Sequence, residues 1–267
     1  MAMDTDKNSY TIIFAIAMVV VVGSLLAFTA SSLKPTISEN ERIEKQQNIL
    51  YAMGINENDE SSANFVATTE APQLFTENVS EQLVLESKDG EIISKMTGQE
   101  YMEANNGKEP YLIDIKKQKS NAKAGKSRLL PLFVGNNKEG KKVYVAPIYG
   151  KGLWDAIWGY IAIDENMVVQ GAYFDHKGET PGLGANIKQR YFMDDFYGEH
   201  LLTENGVFKG ITVAKGNADP KNEDKMDNEV DAIAGATITG DGVTAMIKSD
   251  LKLYKPYFDS LKSQKTN

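Results

Sequence analysis

The chain has 267 residues, 42% of them hydrophobic and 25% charged, with no cysteine, two histidines and a net charge of −8. This is ordinary globular composition, enough for one sizeable domain with appendages or for two small ones. The acidic balance argues against a nucleic-acid partner, which calls for a basic face, and against a surface that seeks anionic lipid. The missing cysteines exclude thiolate metal sites, iron–sulfur ligation by this chain, disulfides and a cysteine nucleophile. His176 and His200 alone cannot build a histidine-rich metal centre. Neither a Gly-x-Ser-x-Gly string nor a Ser/His/Asp grouping is visible, which argues against a self-contained hydrolase.

Residues 1–9 read as a short tail of mixed charge. Asn8 to Leu33 is a run of 26 residues without a charge, and residues 10–33 form its strongly apolar part. At about 1.5 Å per residue the run is long enough to cross a hydrocarbon core of roughly 30 Å. A cleaved signal peptide has a shorter apolar core and a basic start, so the reading is an uncleaved anchor. Pro35 and Thr36 are expected to end it. Residues 34–55 then read as a stalk, with a polar helix from Ser38 to about Met53. Its thin apolar stripe is Ile43, Ile49, Leu50 and Met53, and Gly54 is its stop. The stalk either packs on a neighbouring protein of a complex or folds back on its own domain.

Residues 56–128 read as a membrane-proximal, irregular part of the soluble domain. Asn56 to Gln73 is an acidic, hydroxyl-rich loop. Val84-Leu85 and Ile92-Ile93 are strand-like pieces around Asp89-Gly90. Lys116 to Arg128 is basic without apolar period and reads as a solvated loop, with a docking surface as the alternative. Residues 129–267 read as the core. Val143 to Ile148 is strand-like, and Trp158 to Ile163 with Met167 to Phe174 makes a hairpin turning at Asp164-Glu165-Asn166. A helix capped by Asn186 is expected over Asn186 to Phe196, a strand over Phe208 to Val213 and a charged loop over Asp219 to Asp231. Val243, Met246, Ile247, Leu251 and Tyr254 have helical spacing, and Asp241 or Thr239 is the expected cap. The fold class is α+β, with a largely antiparallel sheet and flanking helices.

Three small-residue stretches stand out: Gly150-Lys151-Gly152-Leu153-Trp154-Asp155, Gly178-Glu179-Thr180-Pro181-Gly182-Leu183-Gly184-Ala185, and Asp231-Ala232-Ile233-Ala234-Gly235-Ala236-Thr237-Ile238-Thr239. Each alone is a turn in which glycine permits positive φ or close backbone approach. The last is neither a phosphate loop with Gly-Lys-Ser/Thr nor a Gly-x-Gly-x-x-Gly fingerprint. Together they suit a planar, phosphorylated ligand. Helix starts supply free N–H groups and a positive dipole end for a phosphate, and Leu153, Trp154 and Leu183 supply apolar contact.

These stretches, together with the anchor, resemble the covalent FMN-binding domain family. It is carried by the NqrC subunit of the sodium-translocating NADH:quinone reductase and, in a related form, by an FMN-bearing subunit of the Rnf electron-transport complex. The Gly-Leu-Trp string favours the former. The resemblance implies an FMN joined by a phosphoester bond to a threonine, mapped onto Thr237 in a pattern that begins at Asp231. Thr239 is the competing hydroxyl. Ala234 stands where the family usually has a hydroxyl residue. Gly235, Ala236, Asp231 and Thr239 would surround the attachment point. Leu153, Trp154, Glu179, Thr180, Gly182, Leu183 and Gly184 would neighbour the ring. The resemblance further implies electron relay from NADH towards quinone, coupled to Na+ export by the whole complex. The other subunits of that complex as partners, a flavin transferase during maturation, and a flavin domain on the periplasmic side of a bacterial inner membrane also follow from it. The Rnf relative and a flavin-free membrane-anchored assembly module are the alternative readings.

Overall fold

The computed structural model describes residues 8–59 and 62–266. The expected N-terminal tail lies outside them except for its last two residues, which are already helical. Two units are distinguished, residues up to Ile43 and residues from Glu44 onward.

Helix α1 runs over Asn8–Ala52. Its apolar part has a mean hydropathy of 2.7 over 18 residues and none of that window is buried, so it is long and apolar enough to cross a membrane. The expected break at Pro35 does not occur, because Pro35 lies inside the helix. A proline in a helix interior removes one hydrogen bond and costs about 3 kcal/mol. Here it follows a long uninterrupted run and precedes good helix formers such as Glu39, Glu41 and Lys45, so the helix continues. The actual stop is Gly54, at φ +76°. Its N–H donates to the Tyr51 carbonyl at 2.9 Å, and that of Ile55 donates to the Leu50 carbonyl at 2.9 Å. This is a Schellman cap, which glycine closes without a Cβ clash.

In the second unit, α2 (Ala71–Asn78) leads into β1 (Val79–Lys88) and β2 (Glu91–Thr97). Asp89 and Gly90 between them both have positive φ, 53° and 88°, as a two-residue hairpin turn of the right twist needs. Helix α3 (Gly98–Ala104) carries a capping box between Thr97 and Glu100. Residues 115–123 are a helix, α4 (Ile115–Lys123), rather than the expected loop. The Asp114 carboxylate caps it by accepting from the Lys117 N–H, and no α4 residue is buried. A helix with no buried side leaves no apolar period to read. Then come β3 (Arg128–Asn136), β4 (Lys142–Lys151), β5 (Ala156–Ile163) and β6 (Val169–His176).

The six strands form one sheet in the order β2-β1-β3-β4-β5-β6. Every neighbouring pair is antiparallel. The strands before residue 128 therefore share a sheet with those after it. The β5–β6 turn falls where expected, with the Asp164 carboxylate accepting from the Asn166 and Val168 N–H groups.

After β6 the predicted helix over Asn186 to Phe196 resolves into a 3-10 turn, Gly184–Lys188, and the short α5 (Arg190–Asp194). Asn186 lies within the turn and does not cap. Phe192 and Phe196 pack on Phe174 of β6, with ring centroids 5.8 and 4.9 Å away. The expected strand over Phe208 to Val213 shrinks to β7 (Thr212–Val213), paired in parallel with β8 (Glu229–Val230). Gly210, at φ +72°, breaks the extended run before it.

Helix α6 (Thr237–Leu251) begins six positions before the expected Val243, and Ala236 precedes it without a side-chain cap. Thr239 and Asp241 are thus helix-interior residues. Helix α7 (Lys255–Thr266) closes the chain. Its Phe258 meets Tyr144 of β4 edge-on, with ring centroids 5.1 Å apart.

Helix α6 is held by a fork in the sheet. Strand β4 pairs with β3 only from Lys142 to Val145, whereas its pairing with β5 runs from Tyr144 to Lys151. Pro147 has no N–H to continue the first ladder. In the gap, the fully buried Asp250 of α6 accepts the Tyr149 N–H at 2.8 Å and the Arg128 guanidinium at 3.0 Å. Lys119 of α4 lies 2.8 Å from the same carboxylate and donates to the Tyr149 carbonyl at 2.6 Å. The Tyr254 hydroxyl donates to the Pro131 carbonyl at 2.9 Å. Side chains thus satisfy the backbone groups that the parted strands leave.

Candidate functional site

The start of α6 meets the two other glycine-rich turns, one following β4 and one following β6. They converge on Glu179, which is only 4% exposed. One carboxylate oxygen accepts from the Trp154 N–H at 2.9 Å, and the other accepts from the Thr239 hydroxyl at 2.6 Å. The Glu179 N–H in turn donates to Nδ1 of His176 at 3.2 Å. Burial works against the Glu179 charge. Hydrogen bonds from Thr239 and from the backbone of Trp154, Asp155 and Leu153 outweigh it and hold the carboxyl below its ordinary value.

Two glycines make room for this carboxylate. A Cβ at Gly152 would lie 2.6 Å from one of its oxygens, and a Cβ at Gly184 would lie 2.5 Å from the other and 2.5 Å from the Thr239 hydroxyl. Both glycines are needed for close approach, not for backbone freedom. At Gly235 the requirement is conformational, with φ +72°. There the chain turns so that Ala236 donates to the Ile233 carbonyl and α6 begins at Thr237.

A cleft of about 240 Å³ opens above this junction, lined by Leu153, Glu179, Thr180, Leu183, Gly184, Gly235, Ala236, Thr237, Ile238 and Thr239. Leu153, Leu183 and Ile238 are 44%, 41% and 56% exposed, unusual for aliphatic residues grouped in one place. Thr237 is exposed at the first position of α6, while Thr239 is buried. The N–H groups of Thr237, Ile238 and Thr239 have no acceptor among the described residues, as expected for a first helical turn. The first in-helix bond runs from the Gly240 N–H to the Ala236 carbonyl at 2.9 Å. Three free donors, an exposed hydroxyl and an apolar rim fit a phosphate joined to a planar ring. The cleft is smaller than most enclosed small-molecule pockets, so it suits a ligand held at the surface.

Most of the residues singled out from the sequence therefore meet. Trp154 joins through its indole, whose N–H donates to the Thr180 hydroxyl at 3.1 Å. Gly182, at φ +77°, shapes the turn without lining the cleft. Asp231 does not reach the cleft, and its carboxylate accepts from the Asp219 N–H at 3.4 Å, at the base of the charged loop. Ala234 is exposed, so the missing hydroxyl leaves no hole in the packing. Ile238 was not singled out. Its apolar character beside Thr237 was the available signal, but only the structure shows that it faces out.

Residues 152–252 match the FMN-binding domain family. By this match the segment is similar to a flavin-binding class of domains. Similarity extends well beyond that segment. The chain is 28% identical over 271 residues to the NqrC subunit of the Na(+)-translocating NADH-quinone reductase of Neisseria meningitidis serogroup A, covering 98% of each chain. It is 26% identical over 246 residues to the Pseudomonas aeruginosa counterpart, covering 91% of this chain and 90% of that one. The crystal structure of the Parabacteroides distasonis counterpart superposes with a TM-score of 0.65 at 29% identity, covering 85% of this chain and 96% of that chain. The Shewanella oneidensis NqrC structure gives 0.62 at 25% identity, covering 84% and 99%. Along nearly its whole length, then, the chain is a homologue of the NqrC subunit of the Na+-translocating NADH:quinone reductase.

Proposed function

We propose that this chain is a membrane-anchored electron-transfer protein that carries FMN esterified through its phosphate to the Thr237 hydroxyl. The observation that carries the reading is the exposed Thr237 hydroxyl at a helix start with free N–H groups, beside an open apolar rim. Thr239, the competing hydroxyl, is buried and donates to Glu179, which supports Thr237 as the attachment point. In the attachment step a flavin transferase uses FAD. The threonine oxygen bonds to the phosphorus next to the riboflavin, the pyrophosphate bond breaks, AMP leaves, and the hydroxyl proton passes to a base on the transferase.

Bound FMN supplies the redox chemistry, taking up electrons and passing them on. The protein's part is to seat and shield. The first-turn N–H groups and the positive end of α6 hold the phosphate. Leu153, Leu183 and Ile238 exclude water from one side of the cleft, with Trp154 and Thr180 beside them. Glu179 keeps the three turns in register. Within the whole complex this chain would relay electrons from NADH towards quinone, with Na+ export coupled through the other subunits. A single anchor without an interior charge is poorly suited to conduct an ion by itself. The flavin domain would face the periplasm, and protease access from either side of sealed vesicles tests this. The NqrC relatives, matched over 90% or more of their lengths, favour this reading over the Rnf one.

Co-expression of the chain with a flavin transferase, followed by a denaturing gel viewed under ultraviolet light, tests the attachment. A fluorescent band is expected. A dark band would overturn the proposal, and fluorescence that persists in Thr237→Ala would move the ester to another residue.

A further inference from the structure

Between α4 and the α6 face that packs near the end of β4 lies a second, larger groove of about 830 Å³. Its walls carry four lysines, Lys116, Lys119 and Lys123 from α4 and Lys151 from β4, and Trp154 stands at its edge. Its floor includes Ala245 and Met246 of α6. In a chain of net charge −8, such a concentration of positive charge is a departure from the overall balance. Lys119 is committed to Asp250. Asp155 is the one carboxylate in the lining, and Lys177 pairs with it at 3.0 Å. Lys116, Lys123 and Lys151 are exposed and form no ion pair within 4 Å among the described residues. Spacings of three and four residues put Lys116, Lys119 and Lys123 on one side of α4, over about 10 Å at 1.5 Å per residue.

We propose that this groove docks an acidic segment of a partner protein, which the three free ammonium groups hold beside the α6 cleft. The chemistry favours a chain of carboxylates over a nucleotide. Nucleotide phosphates are usually seated on fixed backbone donors at a helix start or a glycine nest. Here the donors are flexible lysine tips strung along a helix side, which match a row of carboxylates and steer an acidic surface from a distance. The apolar floor and the 66% exposed Trp154 give such a segment something to bury. Trp154 lines this groove while its neighbour Leu153 lines the cleft, so an occupant lies next to the candidate flavin site. The proposal does not depend on a flavin being attached.

The test uses the full chain in membranes of its own cell. A carbodiimide joins lysine ammonium groups directly to carboxylates in contact, and mass spectrometry then locates the joined residues. The expected result is that Lys116, Lys123 or Lys151 is joined to Asp or Glu residues of a different protein. A triple variant Lys116→Glu, Lys123→Glu, Lys151→Glu should cut the yield of cross-linked partner at its remaining contacts about tenfold, as should 0.5 M salt in the wild type, an order of magnitude set by a few exposed ion pairs. Its thermal stability and its flavin fluorescence should not change, which separates loss of docking from loss of fold or of FMN. No joining of these lysines to another protein would overturn the proposal. So would millimolar ADP shielding the three lysines from acetylation of the purified full-length chain, an outcome that assigns the groove to a nucleotide instead.

Discussion

The Thr239 hydroxyl donates to a carboxylate oxygen of Glu179 at 2.6 Å, and both groups are buried. This bond separates two threonines that differ by only two positions. One is consumed by the structure, and the other, Thr237, is left facing the cleft.

Thr237→Ala is expected to abolish covalent FMN while shifting the melting temperature by no more than a surface substitution does, within about 0.5 kcal/mol. Thr239→Val should do the reverse. It leaves a Glu179 oxygen without its donor, at about 1–3 kcal/mol, while some flavin attachment persists. In-gel fluorescence and a melting curve of each variant distinguish the two roles, and a dark but fully stable Thr239→Val would contradict this division.

Glu179→Gln should destabilise the protein by roughly 1–3 kcal/mol, because an amide nitrogen cannot accept the bonds that one carboxylate oxygen now receives. The carboxyl sits below its ordinary value when folded. It therefore adds stability above its unfolded value of about 4.5, and that stability is lost as pH falls through the lower folded value. The wild-type loss in acid should shrink in the variant. Gly184→Ala should cost a similar roughly 1–3 kcal/mol by overpacking the same carboxylate and Thr239. Equal melting temperatures for wild type and Gly184→Ala would show that this contact yields without cost.

A titration in the opposite direction is expected from Glu199. Its side chain is fully buried, with Asn222 donating to it at 2.9 Å and Lys225 3.7 Å away. Burial pushes its carboxyl up to about 7, against the pull of Asn222 and Lys225. The folded state then holds a proton that the unfolded chain releases above about 4.5, so stability is full in acid and falls as pH rises to 7. The swing is roughly 3 kcal/mol by the usual 1.36 kcal/mol per unit. Burial likewise raises Asp195, to about 6, and its contribution runs the same way. Glu199→Gln should flatten the stability curve between pH 5 and 7.5 in chemical denaturation, and an unchanged slope would count against a buried, proton-holding Glu199.

Asp250→Ala should be the most damaging single change in the fork of the sheet. It strands the Arg128 guanidinium, 7% exposed, and removes the acceptor of the Tyr149 N–H. Losing one partner of such a buried pair costs about 3–5 kcal/mol. Limited proteolysis should then cut near α6, whereas resistance equal to wild type would show that α6 is held by its apolar face alone.

The anchor, the hairpins and the three glycine-rich turns were legible from the residues because their signals are local. An apolar run, a turn residue requiring positive φ, or an alternation of apolar residues depends only on near neighbours in the chain. The misread elements lacked such signals. Helix α4 buries nothing and so shows no period. Pro35 reads as a stop, although the turns on either side carry the helix through it. Helix α6 begins at Thr237, where Gly235 turns the chain, with no capping side chain to announce it.

By itself the sequence determined the membrane-length helix, the antiparallel strands and Thr237 as the hydroxyl worth testing. Only the tertiary structure decided that Glu179 joins three turns from distant parts of the chain, and that Asp231 stays out of the cleft. It also decided that Asp250 holds α6 in the gap between β3 and β4. Residues far apart in the chain are brought together by sheet order and by burial, where a carboxylate persists only with its donors in place. A linear pattern specifies which groups are present, but their partners are chosen by packing.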